Sequence, residues 1–295
     1  MKILHICAGW EETNGAAVIA RLVAEEQRRN GHEIAFGTQA SVKEIREADE
    51  VWTHCGWLPV LWRAGFFARR LVRMPEACYD PVRLDYHGWK KKLVGPVERF
   101  FLRRADKVVA TCDAEKEWIL GYEPKAKVDV VDIKRYFRLV GGDQNQNQVK
   151  VKDEGEQRAV RLLYLGRRHP LKGVEFLERA VEELKRNPQF ASRLCFRIVS
   201  DAVGEEKEKV WDWCDVLVLP TLTENFGLVI AEALERGKRV ITTDGAPAWT
   251  PSGAAQGISS AFDGRLVYLG GYRTGNAAAR IQLLKTAISA LFTER

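Results

Sequence analysis

Cys214-Asp-Val-Leu-Val-Leu-Pro220-Thr-Leu-Thr-Glu224-Asn-Phe-Gly227-Leu-Val-Ile-Ala-Glu232-Ala-Leu234 decides the fold. Val216 to Leu219 is an apolar run of the kind found in a buried strand, and Pro220 stops it. A short polar loop follows. A helix then runs to about Arg236 and is closed by Gly237. Glu224 lies in the loop and Glu232 inside the helix. Gly227 leaves the backbone bare where the helix begins, and the free N–H groups of a helix start attract anions. An ionised carboxylate only accepts hydrogen bonds. Two of them around such a helix start suit a ligand with hydroxyls at both ends and phosphate between, a description that fits a nucleotide sugar.

The stretch resembles the Glu-x7-Glu motif of retaining glycosyltransferases of the two-domain GT-B fold, in the large family-four group. A bare pair of glutamates at this spacing would read as two acids flanking an amphipathic helix. The context carries the resemblance: the strand, Pro220, Phe226-Gly227, Glu232-Ala-Leu, Gly237 and a second strand from Arg239 to Thr242. The resemblance implies that Glu224 contacts donor-sugar hydroxyls and that Glu232 holds ribose hydroxyls. It also implies that Asn225, Phe226, Gly227 and Leu228 turn their backbone toward sugar and diphosphate.

Upstream, Gly166-Arg167-Arg168-His169-Pro170-Leu171-Lys172-Gly173 follows a strand and opens a helix. Two cations five residues apart on such a loop reach one diphosphate, arginine as a fork and lysine as a point charge. The family carries Gly-Arg-x4-Lys-Gly here. By resemblance Arg167 and Lys172 bind the donor diphosphate and stabilise it as it leaves, beside Glu224 as the catalytic set. Arg168 and His169 are expected to be bystanders, and the plain alternative for the whole loop is a solvated basic turn. Near the N-terminus, Glu11-Glu-Thr-Asn-Gly15 lies between a first strand and a first helix, where doubly wound sheets gather ligands. The family has Gly-Gly at this place; Asn14 tolerates the positive φ such a turn needs, and Gly15 joins the expected donor-binding set.

On the acceptor side the candidates are His54, after an expected third strand, and His87 in Asp85-Tyr-His-Gly-Trp. Arg73 and Glu76, with Tyr79 nearby, occupy a segment that in relatives faces the acceptor. A lone histidine is more often structural, and neither matches a strict motif.

The fold class follows from alternation. Strands at Lys2–Ala8, Glu33–Gly37, Glu50–Thr53, Lys107–Thr111 and Val128–Asp132 alternate with helices at Ala16–Arg29, Trp62–Arg73, Pro96–Arg104 and Ala114–Leu120. A second series begins at Val160. This is an α/β chain of two doubly wound, Rossmann-like parallel sheets. Residues 141–157, Gly-Gly-Asp-Gln-Asn-Gln-Asn-Gln-Val-Lys-Val-Lys-Asp-Glu-Gly-Glu-Gln, are too polar to help bury a core and read as a linker or insertion. The expected division is an acceptor-side domain over 1–140, a nucleotide-sugar-binding domain over 158–275, and a closing helix over 276–295. In GT-B enzymes that helix often crosses back to the first domain.

The chain has 295 residues, 46% apolar and 29% charged, which is ordinary for a soluble protein of two domains. No apolar run is long enough to span a bilayer. The start is better read as a strand than as a signal peptide, since Trp10-Glu11-Glu12 interrupts its apolar stretch. The six cysteines are scattered without a Cys-x2-Cys pair, against a zinc site and a disulfide framework, and a cytoplasmic protein is expected. Between Val51 and Lys107, twelve Arg and Lys face five acids, whereas the whole chain carries +6. One segment therefore owns the basicity. Within it, the stretch from His87 to Arg104 mixes cations with Trp and Phe. That suits an anionic membrane surface, such as the inner face of the cytoplasmic membrane, or a polyanionic acceptor; the plain alternative is a solvated face over core aromatics. Nucleic acid is not expected, because no nucleic-acid motif appears.

The expected activity is transfer from a nucleotide sugar to a glycan or lipid-linked acceptor in surface-polysaccharide or lipopolysaccharide synthesis. No cofactor and no metal are expected. A non-catalytic nucleotide-sugar-binding module is the rival, and an epimerase or phosphorylase on the same fold is a second one. The shortness of the chain between Val199 and Val210, where relatives place a further strand and helix beside the nucleobase, puts base recognition in doubt.

Overall fold

A computed structural model describes residues 1–7, 15–54, 58–139, 159–200, 202–254 and 256–293. The loop before Gly15 and the polar stretch 141–157 lie outside the described residues. The chain divides into two compact units, Met1–Tyr136 and Phe137–Arg295.

The first unit runs β1 (Lys2–Cys7), α1 (Gly15–Arg29), β2 (Glu33–Gly37), α2 (Val42–Glu47), β3 (Glu50–His54), α3 (Leu58–Phe67), β4 (Leu71–Met74), α4 (Pro81–His87), α5 (Trp89–Arg104), β5 (Lys107–Ala110), α6 (Asp113–Tyr122) and β6 (Val128–Val130). Its strands lie in the order β2-β1-β3-β4-β5-β6 and all pair in parallel. Their apolar runs are buried on both faces, as a parallel sheet covered by helices requires. The order reverses between β1 and β3, so the ligand crevice of such a sheet falls outside Cys7 and His54.

Three sequence expectations are corrected here. Trp62–Arg73 is not one helix: α3 ends at Phe67, and Leu71–Met74 forms the fully buried central strand β4. A short apolar segment carries no decisive period, and only the sheet on either side selects the strand. The helix expected from Pro96 begins at Trp89, with Pro96 in its interior. Proline cannot donate to the carbonyl of Lys92, but Lys92 is exposed, so solvent can serve that group. Helices α2 and α4, unread in the sequence, are short and owe their starts to caps. Ser41 and Glu44 form a capping box, and Asp80 accepts from the backbone of Val82.

The second unit runs β7 (Val160–Leu165), α7 (Val174–Lys185), α8 (Pro188–Ala191), β8 (Leu194–Val199), α9 (Gly204–Trp213), β9 (Val216–Leu219), α10 (Leu228–Glu235), β10 (Arg239–Thr243), β11 (Gly257–Ala261), β12 (Leu266–Gly270) and α11 (Ala277–Ala290). Its order is β11-β12-β10-β9-β7-β8. Every pair is parallel except β11 with β12, an antiparallel edge that the sequence reading does not contain. The reversal falls between β7 and β9, which sets the loops after these two strands side by side. Helix α7 buries Val174, Leu177, Ala180, Val181 and Leu184 along one stripe. The closing helix α11 packs on α7, with Lys285 2.9 Å from Glu183, inside the second unit.

Candidate functional site

The loop after β7 starts at Gly166, whose φ of 153° few other residues adopt. Tyr164 donates its hydroxyl to the carbonyl of Arg167 at 2.8 Å and fixes the loop's path. Burial, with the charge of Glu224 behind it, pushes this phenol's pKa up. Arg167 is exposed. Arg168 is engaged with Glu178 at 2.7 and 3.2 Å. His169 accepts from the backbone of Leu171 and so caps the 3-10 turn Pro170–Lys172. Arg168 and His169 thus serve the loop itself.

Gly173 is where the two loops meet. Its φ is 63°, and a β-carbon there would lie 2.2 Å from the carbonyl oxygen of Pro220. Leu222 donates to the carbonyl of Leu171 at 2.9 Å, and the Thr221 hydroxyl also reaches that carbonyl at 3.2 Å. This close approach brings Lys172 and Glu224, 52 residues apart, into an ion pair. Glu224 is held from behind as well: its N–H donates to the carbonyl of Gly245 at 2.7 Å. Gly245 is equally obligatory, since a β-carbon there would sit 2.1 Å from the Thr221 oxygen.

Gly227, at φ 74°, precedes α10 without any side-chain cap, so the helix start keeps its N–H groups available. Phe226 is buried against Trp249 at 5.1 Å and Phe137 at 5.6 Å, and the Trp249 indole donates to the Phe226 carbonyl. Phe226 is thus an anchor that fixes the backbone beside it. The N–H of Asn225 reaches Glu224 at 3.2 Å. Leu228 and Glu232 lie one turn apart on α10. Glu232 has a partner that the sequence reading lacks: Lys207 of α9 stands 2.7 Å away. Next to it, Glu208 pairs with Arg236 at 2.7 Å, so two opposed ion pairs hold α9 along α10. The segment that is short in the sequence is therefore a helix laid on the Glu232 face. Lys207 sits among Glu205, Glu206 and Glu208, where nothing in the local sequence singles it out.

In the first unit, His54 and Glu76 come together and Arg73 and His87 do not join them. Nδ1 of His54 lies 3.4 Å from Glu76, and its Nε2 lies 3.0 Å from Nδ1 of His5. His5 in turn reaches Gln27 at 2.7 Å. Burial pushes both imidazoles down to about 3, with His54 adding to the effect at His5 and the Gln27 contact opposing it. Both are neutral at ordinary pH, so the two rings bring one proton each to the contacts that run from Gln27 through His5 and His54 to Glu76. The sequence hint for His5 is a polar residue inside an otherwise apolar strand. Burial, then the Glu76 charge, drives the nearby Cys7 thiol up to about 12, so it is inert as a nucleophile. Glu76 and Ala77 both have positive φ, 55° and 58°. The buried carboxylate of Glu115 pins this strained turn by accepting from the N–H of Ala77 at 2.6 Å.

Arg73 is fully buried, and none of its three guanidinium nitrogens has a hydrogen-bond partner among the described residues. On β4 it is in register with Thr53, and His54 with Met74; side chains alternate faces, so Arg73 and His54 point to opposite sides of the sheet. His87 is exposed at the end of α4. Gly15 is the first residue of α1.

Residues 44–133 match the family described as Glycosyl transferase 4-like domain, and residues 159–284 match Glycosyl transferases group 1. The chain belongs to the glycosyltransferases of GT-B fold. A 41.2 kDa protein in the cps region of Klebsiella pneumoniae is 27% identical over 229 residues, 66% of this chain and 60% of that protein. The match thus spans about three fifths of the relative's length. HepE of Anabaena, solved in complex with UDP-glucose, superposes with a TM-score of 0.62 at 16% identity, covering 99% of this chain and 90% of HepE. WaaG, a glycosyltransferase involved in lipopolysaccharide biosynthesis, gives 0.54 at 12% identity, covering 98% and 90%. Identities this low establish the shared fold.

Proposed function

We propose that this glycosyltransferase moves a sugar, with retention of anomeric configuration and without a metal ion, from a nucleotide-sugar donor to a glycan or lipid-linked acceptor in surface-polysaccharide or lipopolysaccharide synthesis. One observation carries the reading. At the reversal point of the second sheet, Lys172 and Glu224 meet beside an uncapped helix start, and Glu232 stands further along the same helix. That arrangement offers a hydroxyl acceptor, then a cation with N–H groups, then a second hydroxyl acceptor, in the order in which a nucleotide sugar presents sugar, diphosphate and ribose. The nucleotide sugar in the HepE complex, the cps region of the Klebsiella relative and the lipopolysaccharide role of WaaG support the donor class and the setting.

In this mechanism no protein side chain becomes bonded to the sugar. Glu224 orients the sugar by accepting from its hydroxyls, and Glu232 does the same for the ribose. As the bond from sugar to diphosphate breaks, negative charge grows on the departing phosphate. Arg167, Lys172 and the N–H groups from Asn225 to Leu228 are the groups that offset it. When the donor binds, Lys172 exchanges its partner Glu224 for phosphate, which frees the carboxylate for the sugar. The acceptor side is assigned to the first unit, where Glu76 stands at the end of the relay from Gln27 through His5 and His54.

The test is a panel of nucleotide sugars, read by donor hydrolysis and by thermal shift, with the product anomer identified by NMR once an acceptor is found. Release of nucleoside diphosphate with one class of donor supports the proposal. A thermal shift without turnover on any acceptor extract identifies a binding module instead. An inverted anomer overturns the retaining mechanism.

A further inference from the structure

Helix α5 is amphipathic in the wrong sense for a helix that simply covers a sheet. Its buried face carries Gly95, Glu98, Phe101 and Leu102. Its solvent face carries Trp89, Leu93, Pro96 and Phe100, at alternating spacings of four and three that align them in one stripe. Trp89 is 69% exposed and Leu93 72%. Helix α3 beside it repeats the pattern with Trp62 and Phe66, 52% and 56% exposed. The two stripes join, since Phe66 lies 6.0 Å from Trp62 and 5.9 Å from Phe100. Scattered apolar side chains on a surface mean little, but a contiguous aromatic ridge over two helices marks an interaction site.

The exposed charges of the two helices that form the ridge have one sign, and Asp85, exposed four residues before Trp89, is an acid beside them. The sole acid on α3 and α5 is Glu98, which is buried and occupied by Lys91 at 2.6 Å and by the Tyr122 hydroxyl at 3.0 Å. The exposed charged residues of the two helices are Arg63, Lys90, Lys92, Arg99 and Arg103. Lys91, which the sequence groups with Lys90 and Lys92, is thus spent internally. Arg103 faces Glu123 at 3.2 Å and Arg104 faces Asp106 at 3.8 Å. Lys90 and Lys92 flank the most exposed part of the stripe.

We propose that the α3–α5 ridge docks on an anionic lipid bilayer, with Trp89, Leu93, Phe66 and Phe100 entering the headgroup boundary and Lys90, Lys92 and Arg99 meeting anionic headgroups. Amphipathic rings favour that boundary, and the combination of an apolar ridge with a cationic border matches an interface that is apolar in depth and anionic at its surface. A basic protein partner is repelled by that border, and a second copy brings the same cations against themselves. No helix among the described residues is long and apolar enough to cross a membrane. Attachment that rests on surface cations is weakened by salt. The inference is independent of the transfer reading, because it uses no donor-site residue.

Co-sedimentation of the full chain with phosphatidylcholine vesicles, with and without phosphatidylglycerol, decides it. Binding to the anionic vesicles only, with a blue shift of tryptophan emission, is expected. Trp89→Ser with Leu93→Ser should weaken that binding by at least about tenfold, the scale of one buried large apolar side chain. Lys90→Glu with Lys92→Glu should abolish the preference for anionic lipid. All four positions are exposed, so the variants should retain the circular dichroism and donor hydrolysis of the parent. Equal sedimentation with neutral and anionic vesicles, or none with either, overturns the proposal. So does a concentration-dependent dimer that the Trp89→Ser, Leu93→Ser variant dissolves, since the ridge would then belong to a second copy.

Discussion

At the scale of single residues, the candidate donor site separates into groups felt only as the bond breaks and groups felt throughout binding. In the proposed mechanism Arg167 and Lys172 belong to the first kind. Arg167→Ala and Lys172→Ala should lower kcat more than they raise KM, each costing about 2–4 kcal/mol of barrier, the range seen when one preorganised donor is removed. Rates within a few fold of the parent would place the diphosphate elsewhere, and loss of turnover in EDTA would contradict the metal-free proposal. Lys207 belongs to the second kind. By holding Glu232 it organises the carboxylate that the proposed function gives to a ribose far from the reacting bond. Lys207→Met should therefore raise the donor KM about tenfold or more with kcat unchanged, the weight of one charge-assisted contact. The same variant tested on a 2′-deoxyribose donor should show a smaller difference, because the hydroxyl that Glu232 serves is gone. If Glu232→Ala raises KM and Lys207→Met does not, Lys207 has no positioning role.

At the scale of elements, everything depends on how tightly the loop after β7 is pressed on the end of β9. Gly173→Ala should destabilise the protein by about 1–3 kcal/mol, the usual cost of overpacking, with the positive φ adding to it. A shift of the denaturation midpoint should report it, together with a lower kcat, since Lys172 is the neighbouring residue. An unchanged midpoint would mean that the two loops have room to part. Strand β9 is legible in the sequence because it is a short apolar run closed by Pro220: it is read to the residue, and β10 to within one. Strand β4 is not, because Leu71–Met74 continues an apolar segment that satisfies helical spacing just as well. The antiparallel β11 is partly exposed and rich in Gly and Ser, which leaves no apolar alternation to read. The two loops that carry Lys172 and Glu224 can be found from their sequence context. The partners of those loops cannot: Lys207 and His5 act through contacts 25 and 49 residues away in sequence, and only the packed sheet brings them together.

At the scale of the whole molecule, the neutral imidazoles of His5 and His54 tie stability to acidity. An unfolded histidine takes up its proton as pH falls through about 6.5, while these two resist until about 3. Between those values the unfolded chain binds more protons than the folded one, so the free energy of unfolding should fall steadily as the solution is acidified. The upper part of that window lies above the range in which carboxylates titrate, and denaturant titrations there should isolate the effect. A double His5→Gln, His54→Gln variant should lose most of the slope. A parent protein equally stable across the window would show that these rings gain their protons without unfolding. Charge also governs what the empty donor site looks like from a distance. Two bare carboxylates at its mouth would slow the encounter with any dianion. With Lys172 closed on Glu224 and Lys207 on Glu232, each pair is close to neutral from outside. Exposed Arg167 and the α10 helix start then add attraction at long range. On the proposed function the lysines act as shutters over the acidic groups until the ligand has arrived, so the two carboxylates enter only at the last few ångströms.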